Sequence, residues 1–211
     1  MKQVLCFGDS NTRGYSLYTG RFDYEVRWTG RLNEAMGPEA LICEAGLNGR
    51  TICFQDPDVP GRNGMEFVKG FMETHKPLAL MTVMLGINDA RLCYGGKSAE
   101  EITANLERML VDIQAHTCFE GIPTRYLLIA PVPVDARAME YYDYDEASVQ
   151  VTRELGRYYE VLAHKLGIGF LDAGTWGVKL DEDGAHFSSA GHGTFARRII
   201  PEIQAVLSAQ D

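Results

Sequence analysis

Between residues 78 and 85 the chain runs Leu-Ala-Leu-Met-Thr-Val-Met-Leu and stops at Gly86. Only Thr82 in that run is polar, so neither face of a strand built from it suits water. Such a run fits a central strand of a parallel sheet, covered by helices on both sides. Four shorter apolar runs end in the same abrupt way. Val4 to Phe7 stops at Gly8, and Ala40 to Cys43 closes near Gly46. Tyr126 to Ala130 is stopped by Pro131, and Phe170-Leu171 is a short fifth run.

Stretches of helical period separate them. Trp28, Leu32, Ala35 and Met36 make one apolar face, and Ile102, Leu106, Met109, Leu110 and Ile113 another. Ser98-Ala99-Glu100-Glu101 has capping-box spacing ahead of the second. Val151, Leu155, Tyr158, Tyr159 and Leu162 make a third face. Phe195, Ile199, Ile203 and Val206 make the last, on a helix expected to bend at Pro201, which lacks an amide donor. Five strands alternating with helices predict an α/β fold: a five-stranded, mostly parallel sheet in a three-layer α/β/α arrangement. The 211 residues suit one domain spanning 1–211, with no linker or repeat to divide them.

The charge narrows the partners. Lys and Arg number 20 against 29 Asp and Glu, a net charge of −9. That balance opposes nucleic-acid binding, which needs clustered cations, and a polybasic membrane patch. No apolar run approaches the roughly 20 residues of a membrane span. Cys6, Cys43, Cys53, Cys93 and Cys118 are odd in number and show no C-x-x-C spacing. They read as reduced thiols in a cytoplasmic protein, with neither a disulfide frame nor a zinc site.

In open parallel sheets ligands bind beyond the carboxyl ends of the strands. Gly8-Asp9-Ser10-Asn11 follows the first strand, Glu44-Ala45-Gly46-Leu47-Asn48 the second and Gly86-Ile87-Asn88-Asp89 the third. Asp183-Gly184-Ala185-His186-Phe187 follows the fifth. A serine, a glycine, an asparagine and an Asp/His pair on one rim are the parts of a serine hydrolase. His186 suits the base that removes the Ser10 proton. Asp183, three residues earlier, suits the carboxylate that orients it. The amides of Ser10 and Gly46 and the side chain of Asn88 are candidate oxyanion donors, Gly46 because it has no Cβ. Each motif alone is equally a turn; their joint placement carries the reading.

In these residues the chain resembles the SGNH hydrolases, or GDSL-type esterases and lipases. Their four sequence blocks are matched by Gly8-Asp9-Ser10, Gly46, Gly86-Ile87-Asn88-Asp89 and Asp183-Gly184-Ala185-His186, which together span positions 8 to 186. Val26-Arg27-Trp28-Thr29-Gly30, Met84-Leu85-Gly86-Ile87-Asn88-Asp89 and Phe170-Leu171-Asp172-Ala173-Gly174 are similar to the bacterial arylesterase/acyltransferase branch. The resemblance implies a flavodoxin-like strand order 2-1-3-4-5, and no cofactor is expected. It implies Ser10 as nucleophile, His186 as base, Asp183 as orienter and Ser10, Gly46 and Asn88 as oxyanion donors. It also implies a small-molecule ester substrate with a short acyl group such as acetyl, acyl transfer to alcohols, and a homo-oligomer, the octamer of better-known members. Asn11 stands where many relatives have leucine. A carbohydrate O-acetyl esterase and a lysophospholipase or thioesterase are alternatives on the same scaffold. A non-catalytic flavodoxin-like binding module is the alternative from another class. Neither G-x-S-x-G nor a nucleotide-binding glycine motif occurs.

Several other residues have expected places. His192 reads as structural near the last helix rather than as a metal ligand. Asp9 is expected to cap amides beside Ser10, and Asp89 to pair with Arg91. Two connections exceed ordinary length. One runs from 48 to 64 and contains Asp56-Pro57-Asp58-Val59-Pro60-Gly61. The other runs from 131 to about 145 and contains Met139, Tyr141, Tyr142 and Tyr144. These tyrosines, with Tyr15, Tyr18, Phe22 and Tyr24, suit a pocket wall or a subunit contact equally. Trp176 suits core or pocket wall.

Overall fold

A computed structural model describes residues 1–56, 58–116 and 123–209. Pro57 and Cys118 lie outside the described residues. Among the described residues five strands form one sheet: β1 (Lys2–Gly8), β2 (Ala40–Gly46), β3 (Leu80–Met84), β4 (Arg125–Ala130) and β5 (Gly169–Asp172). Every pairing is parallel and the order is β2-β1-β3-β4-β5. This is the expected order 2-1-3-4-5. The fifth strand extends beyond Phe170-Leu171, and β3 is shorter than the apolar run around it.

Among the described residues seven α-helices accompany the sheet: α1 (Ser10–Arg13), α2 (Trp28–Met36), α3 (Gly64–His75), α4 (Ala99–Ala115), α5 (Ala138–Tyr141), α6 (Glu146–Leu166) and α7 (Ser189–Ser208). Strand side chains alternate between the two faces. Leu5 and Phe7 of β1 join a core with Val68 of α3, Leu106 of α4 and Leu155 of α6. Val4 and Cys6 join a second core with Trp28 of α2 and Phe195 of α7. Ala35, expected on the buried face of α2, is exposed.

The termini explain where the helices begin and stop. Ser98 and Glu101 form the expected capping box at α4. Asp145 and Ser148 form another at α6, which ends at Gly167 in the left-handed conformation. Helix α7 runs on through Pro201. The proline sits on the exposed side, where water can serve the carbonyl that its missing amide leaves free. Helix α3 falls in a stretch the sequence reading leaves unassigned. Asn63 caps it by accepting from the Met65 amide, and it buries Val68 and Met72, four residues apart.

Candidate active site

Strand β1 delivers the chain to the rim at Gly8. There the Asp9 carboxylate accepts the Asn11 amide at 2.9 Å and caps α1, as expected. Ser10 is thus the first helical residue, and its own N–H has no acceptor within the helix. Burial pushes the Asp9 carboxyl up to about 6, although the Asn11 amide pulls it down. The next side chain reaches the last motif. Asn11 Nδ2 donates to the Ala185 carbonyl at 3.1 Å, and Asn11 Oδ1 accepts from the Phe187 amide at 2.8 Å. Those two bonds bracket His186 and tie its loop to the turn that bears Ser10.

Ser10 Oγ lies 2.9 Å from His186 Nε2, and His186 Nδ1 lies 2.5 Å from Asp183 Oδ2. Asp183 is fully buried. Burial pushes its carboxyl up, but the hydrogen bonds from the His186 ring and from the backbone amides of His186 and Ala185 outweigh this. They hold it well below the usual carboxylate range. An ionised Asp183 can only accept, so Nδ1 carries the ring proton and Nε2 is free to accept from Ser10. The Tyr15 ring lies against the imidazole, its centroid 4.4 Å away. Its segment is anchored by Glu44, which accepts from Arg21 at 2.5 Å, Arg27 at 2.9 Å and Thr29 at 2.7 Å.

Asn88 approaches from the β3 end. Its Nδ2 donates to the Arg50 carbonyl at 3.0 Å. This bond uses one of two amide hydrogens and fixes the plane of the group. Asp89 is buried, and both its oxygens accept the Ile52 amide, at 2.9 and 3.1 Å. The expected Asp89–Arg91 pair does not form. Asp89 points inward to the loop after β2, and Arg91 instead meets Asp143 and Asp56.

Ser10, Asn88 and His186 share the wall of a pocket of about 220 Å³ with Asn48, Gly49 and Tyr142. Gly46 is absent from that wall. A Cβ at Gly46 would stand 2.1 Å from the Arg13 nitrogen, so its bareness serves the close approach of α1 to β2. Gly49, with φ of 69°, lines the pocket instead, and its amide donates to no acceptor among the described residues.

Other candidates lie elsewhere. His192 is buried in the first turn of α7, accepts from the Trp28 amide at 3.4 Å and sits edge-on to Phe22 and Phe187. Burial, then the nearby Arg31 and Arg27, push its imidazole down to about 3. Trp176 is half-buried and packs on Phe195 from the edge of the core. Tyr24 lies under Arg27, and Tyr18 is exposed. Sequence reasoning missed the Asn11 clamp, the Gly49 amide and Arg50, whose buried guanidinium donates to the Gly8 carbonyl at 2.8 Å and also to the Ala45 carbonyl.

The sheet order and the two-sided helical cover are those of the SGNH hydrolases, as the solved structures show. A carbohydrate acetylesterase family member from Sinorhizobium meliloti superposes with a TM-score of 0.89 at 30% identity, covering 99% of this chain and 100% of that one. The native aryl esterase of M. smegmatis gives 0.89 at 29% identity, covering 98% and 100%. Est24, a carbohydrate acetylesterase from Sinorhizobium meliloti, gives 0.86 at 27% identity over 98% and 100%. Among curated proteins none matches. The profile of the GDSL-like lipase/acylhydrolase family matches residues 6–193. The chain belongs to that family and is a carboxylic ester hydrolase.

Proposed function

We propose that this protein is a serine esterase for short-chain acyl esters, built as one domain over residues 1–211, and that it works through an acyl-enzyme. The observation that carries the reading is the hydrogen-bonded series from Ser10 to His186 to Asp183 opening on a pocket of about 220 Å³. His186 Nε2 takes the Ser10 proton as Oγ attacks the ester carbonyl, with Asp183 stabilising the imidazolium. The carbonyl oxygen becomes an oxyanion and meets the Ser10 amide, the remaining Asn88 hydrogen and the Gly49 amide, which takes the place first given to Gly46. His186 then protonates the leaving alcohol, leaving an ester on Ser10. A water that gives its proton to His186 attacks that ester, and the acid departs as Ser10 regains the proton. An alcohol that displaces water from the pocket takes the acyl group instead.

The pocket supports a short acyl chain, being smaller than the roughly 300–1,000 Å³ that encloses a drug-sized ligand. A long-chain lysophospholipase or thioesterase needs a deeper groove. One observation favours a sugar O-acetyl ester as a second reading: Asn48, in the pocket wall, has a buried Oδ1 with no donor among the described residues. An acceptor of that kind suits a hydroxyl-rich alcohol.

The test is hydrolysis of p-nitrophenyl acetate against p-nitrophenyl octanoate, with Ser10→Ala as control. Fast acetate turnover, weak octanoate turnover and loss of both in the variant are expected. Turnover surviving in Ser10→Ala removes the nucleophile assignment.

A further inference from the structure

Among the described residues the Asp183 carboxylate accepts four hydrogen bonds. Oδ1 takes the Ala185 and His186 amides, both at 3.0 Å. Oδ2 takes the His186 ring at 2.5 Å and the Tyr142 hydroxyl at 2.8 Å. The first three donors come from the same short loop as Asp183. The fourth comes from 41 residues away, in the Tyr-rich connection. The Tyr142 oxygen also lies 3.2 Å from His186 Nδ1, and its ring stands edge-on to the imidazole at 5.7 Å. Burial and the Asp183 carboxylate both push the Tyr142 phenol up, so it stays a donor throughout the working pH range.

The two residues after Tyr142 fix it to the opposite wall. Asp143 accepts from the Arg91 side chain and from the Cys93 amide at 2.9 Å. Tyr144 is buried and donates to the Ile87 carbonyl at 3.0 Å, one residue before Asn88. A single stretch of three residues therefore spans from the Asp/His pair to the turn that holds the oxyanion donor.

We propose that Tyr142 is a positioning residue for the Asp183–His186 pair, held in place by its neighbours Asp143 and Tyr144. Its hydroxyl sets the carboxylate plane and shares the carboxylate charge, so that Oδ2 points at Nδ1 without over-stabilising the imidazolium. The proposal rests on the reading of Ser10, His186 and Asp183 given above.

The test compares Tyr142→Phe, Tyr144→Phe and Ser10→Ala with p-nitrophenyl acetate, after circular dichroism shows each variant folded. Tyr142→Phe keeps the ring and loses one charge-assisted hydrogen bond. Its kcat falls about tenfold while KM changes by less than about twofold. The acid limb of its kcat/KM profile moves to higher pH, because a carboxylate with one donor fewer favours the protonated ring more. Tyr144→Phe lowers kcat and moves the acid limb by less than Tyr142→Phe does, since Tyr142 keeps its hydroxyl and the Asp143 anchor. 3-Fluorotyrosine at position 142 is a stronger donor of the same shape, moves the limb to lower pH, and supplies the answer if Tyr142→Phe does not fold. A Tyr142→Phe enzyme with wild-type kcat and pH profile overturns the proposal, as does an equal limb shift in Tyr144→Phe. Should Ser10→Ala retain activity, the underlying reading fails instead. Loss of activity in Ser10→Ala beside a wild-type Tyr142→Phe sinks the positioning role alone.

Discussion

Asn88 carries two amide hydrogens, and the protein uses one. The bond to the Arg50 carbonyl at 3.0 Å holds the amide plane, which leaves the second hydrogen on the pocket wall beside Ser10. A donor held in this way costs no reorganisation when charge develops on the ester oxygen. Asn88→Ala is therefore expected to lower kcat by about a hundredfold to a thousandfold. KM should change little, because the oxygen carries its charge only beyond the ground state. Steady-state kinetics on p-nitrophenyl acetate decides it, and wild-type kcat in the variant removes Asn88 from the oxyanion site. Ser10, Asn88, Asp183 and His186 are legible in the sequence because short motifs at strand ends carry them. Gly46 reads the same way, yet its missing Cβ makes room for α1. A glycine in a sequence announces a close approach without saying what approaches. Tyr142 is illegible for a related reason: its partner is 41 residues away, and nothing local marks it out among three nearby tyrosines.

The ends of β1 and β2 lie side by side, with Gly8 opposite Gly46, and each strand end leads directly into a part of the site. Arg50 joins them. Its guanidinium is buried, donates to the carbonyls of Gly8 and Ala45, and lies over the Phe7 ring with 4.2 Å to the centroid. Burial lowers its pKa to about 10, while the Asp9 carboxylate works in the opposite direction. Arg50 keeps the turn before Ser10 in register with the loop that carries Gly49. Arg50→Met fills similar space and takes the guanidinium donor from both carbonyls, leaving Gly8 only the Leu47 amide at 3.2 Å. A loss of about 3 kcal/mol in stability is expected from two charge-assisted bonds, with kcat reduced more than KM is altered. Urea melts paired with kinetics test this, and a variant with wild-type melting and turnover would show that the strand ends hold themselves. The strands are legible as unbroken apolar runs because both of their faces are covered, and the longer helices because burial of one face imposes a period of 3.6 on their sequences. Helix α3 is not, because only Val68 and Met72 mark its inner face. Exposed Phe67 and half-buried Phe71 blur the period.

At the scale of the whole molecule, two parallel-sheet cores put acidic groups in places that water cannot reach. Asp89 is fully buried between the two strand-end loops. Burial pushes its carboxyl up to about 7, with the Ile52 amide pulling against it and Asp9 adding to it. An unfolded aspartate titrates near 3.9. Between about pH 4 and 7 the folded chain therefore binds more protons at this position than the unfolded chain does. Stability from this group is complete at low pH and is lost as pH rises through that window. Asp9, raised to about 6, acts in the same direction. His192 acts in the opposite one: its lowered value makes the folded state the weaker proton binder, so its contribution grows as pH rises toward 6.5. A single pH profile of the wild type mixes all three, and a difference between two proteins separates them. Asp89→Asn keeps an oxygen for the Ile52 amide and removes the titration. From pH 5 to pH 8 the wild type should lose stability relative to Asp89→Asn, as read by urea unfolding at each pH. Parallel curves would mean that Asp89 keeps its charge in the folded protein at pH 5, and that the loops after β2 and β3 hold a buried anion rather than a carboxylic acid.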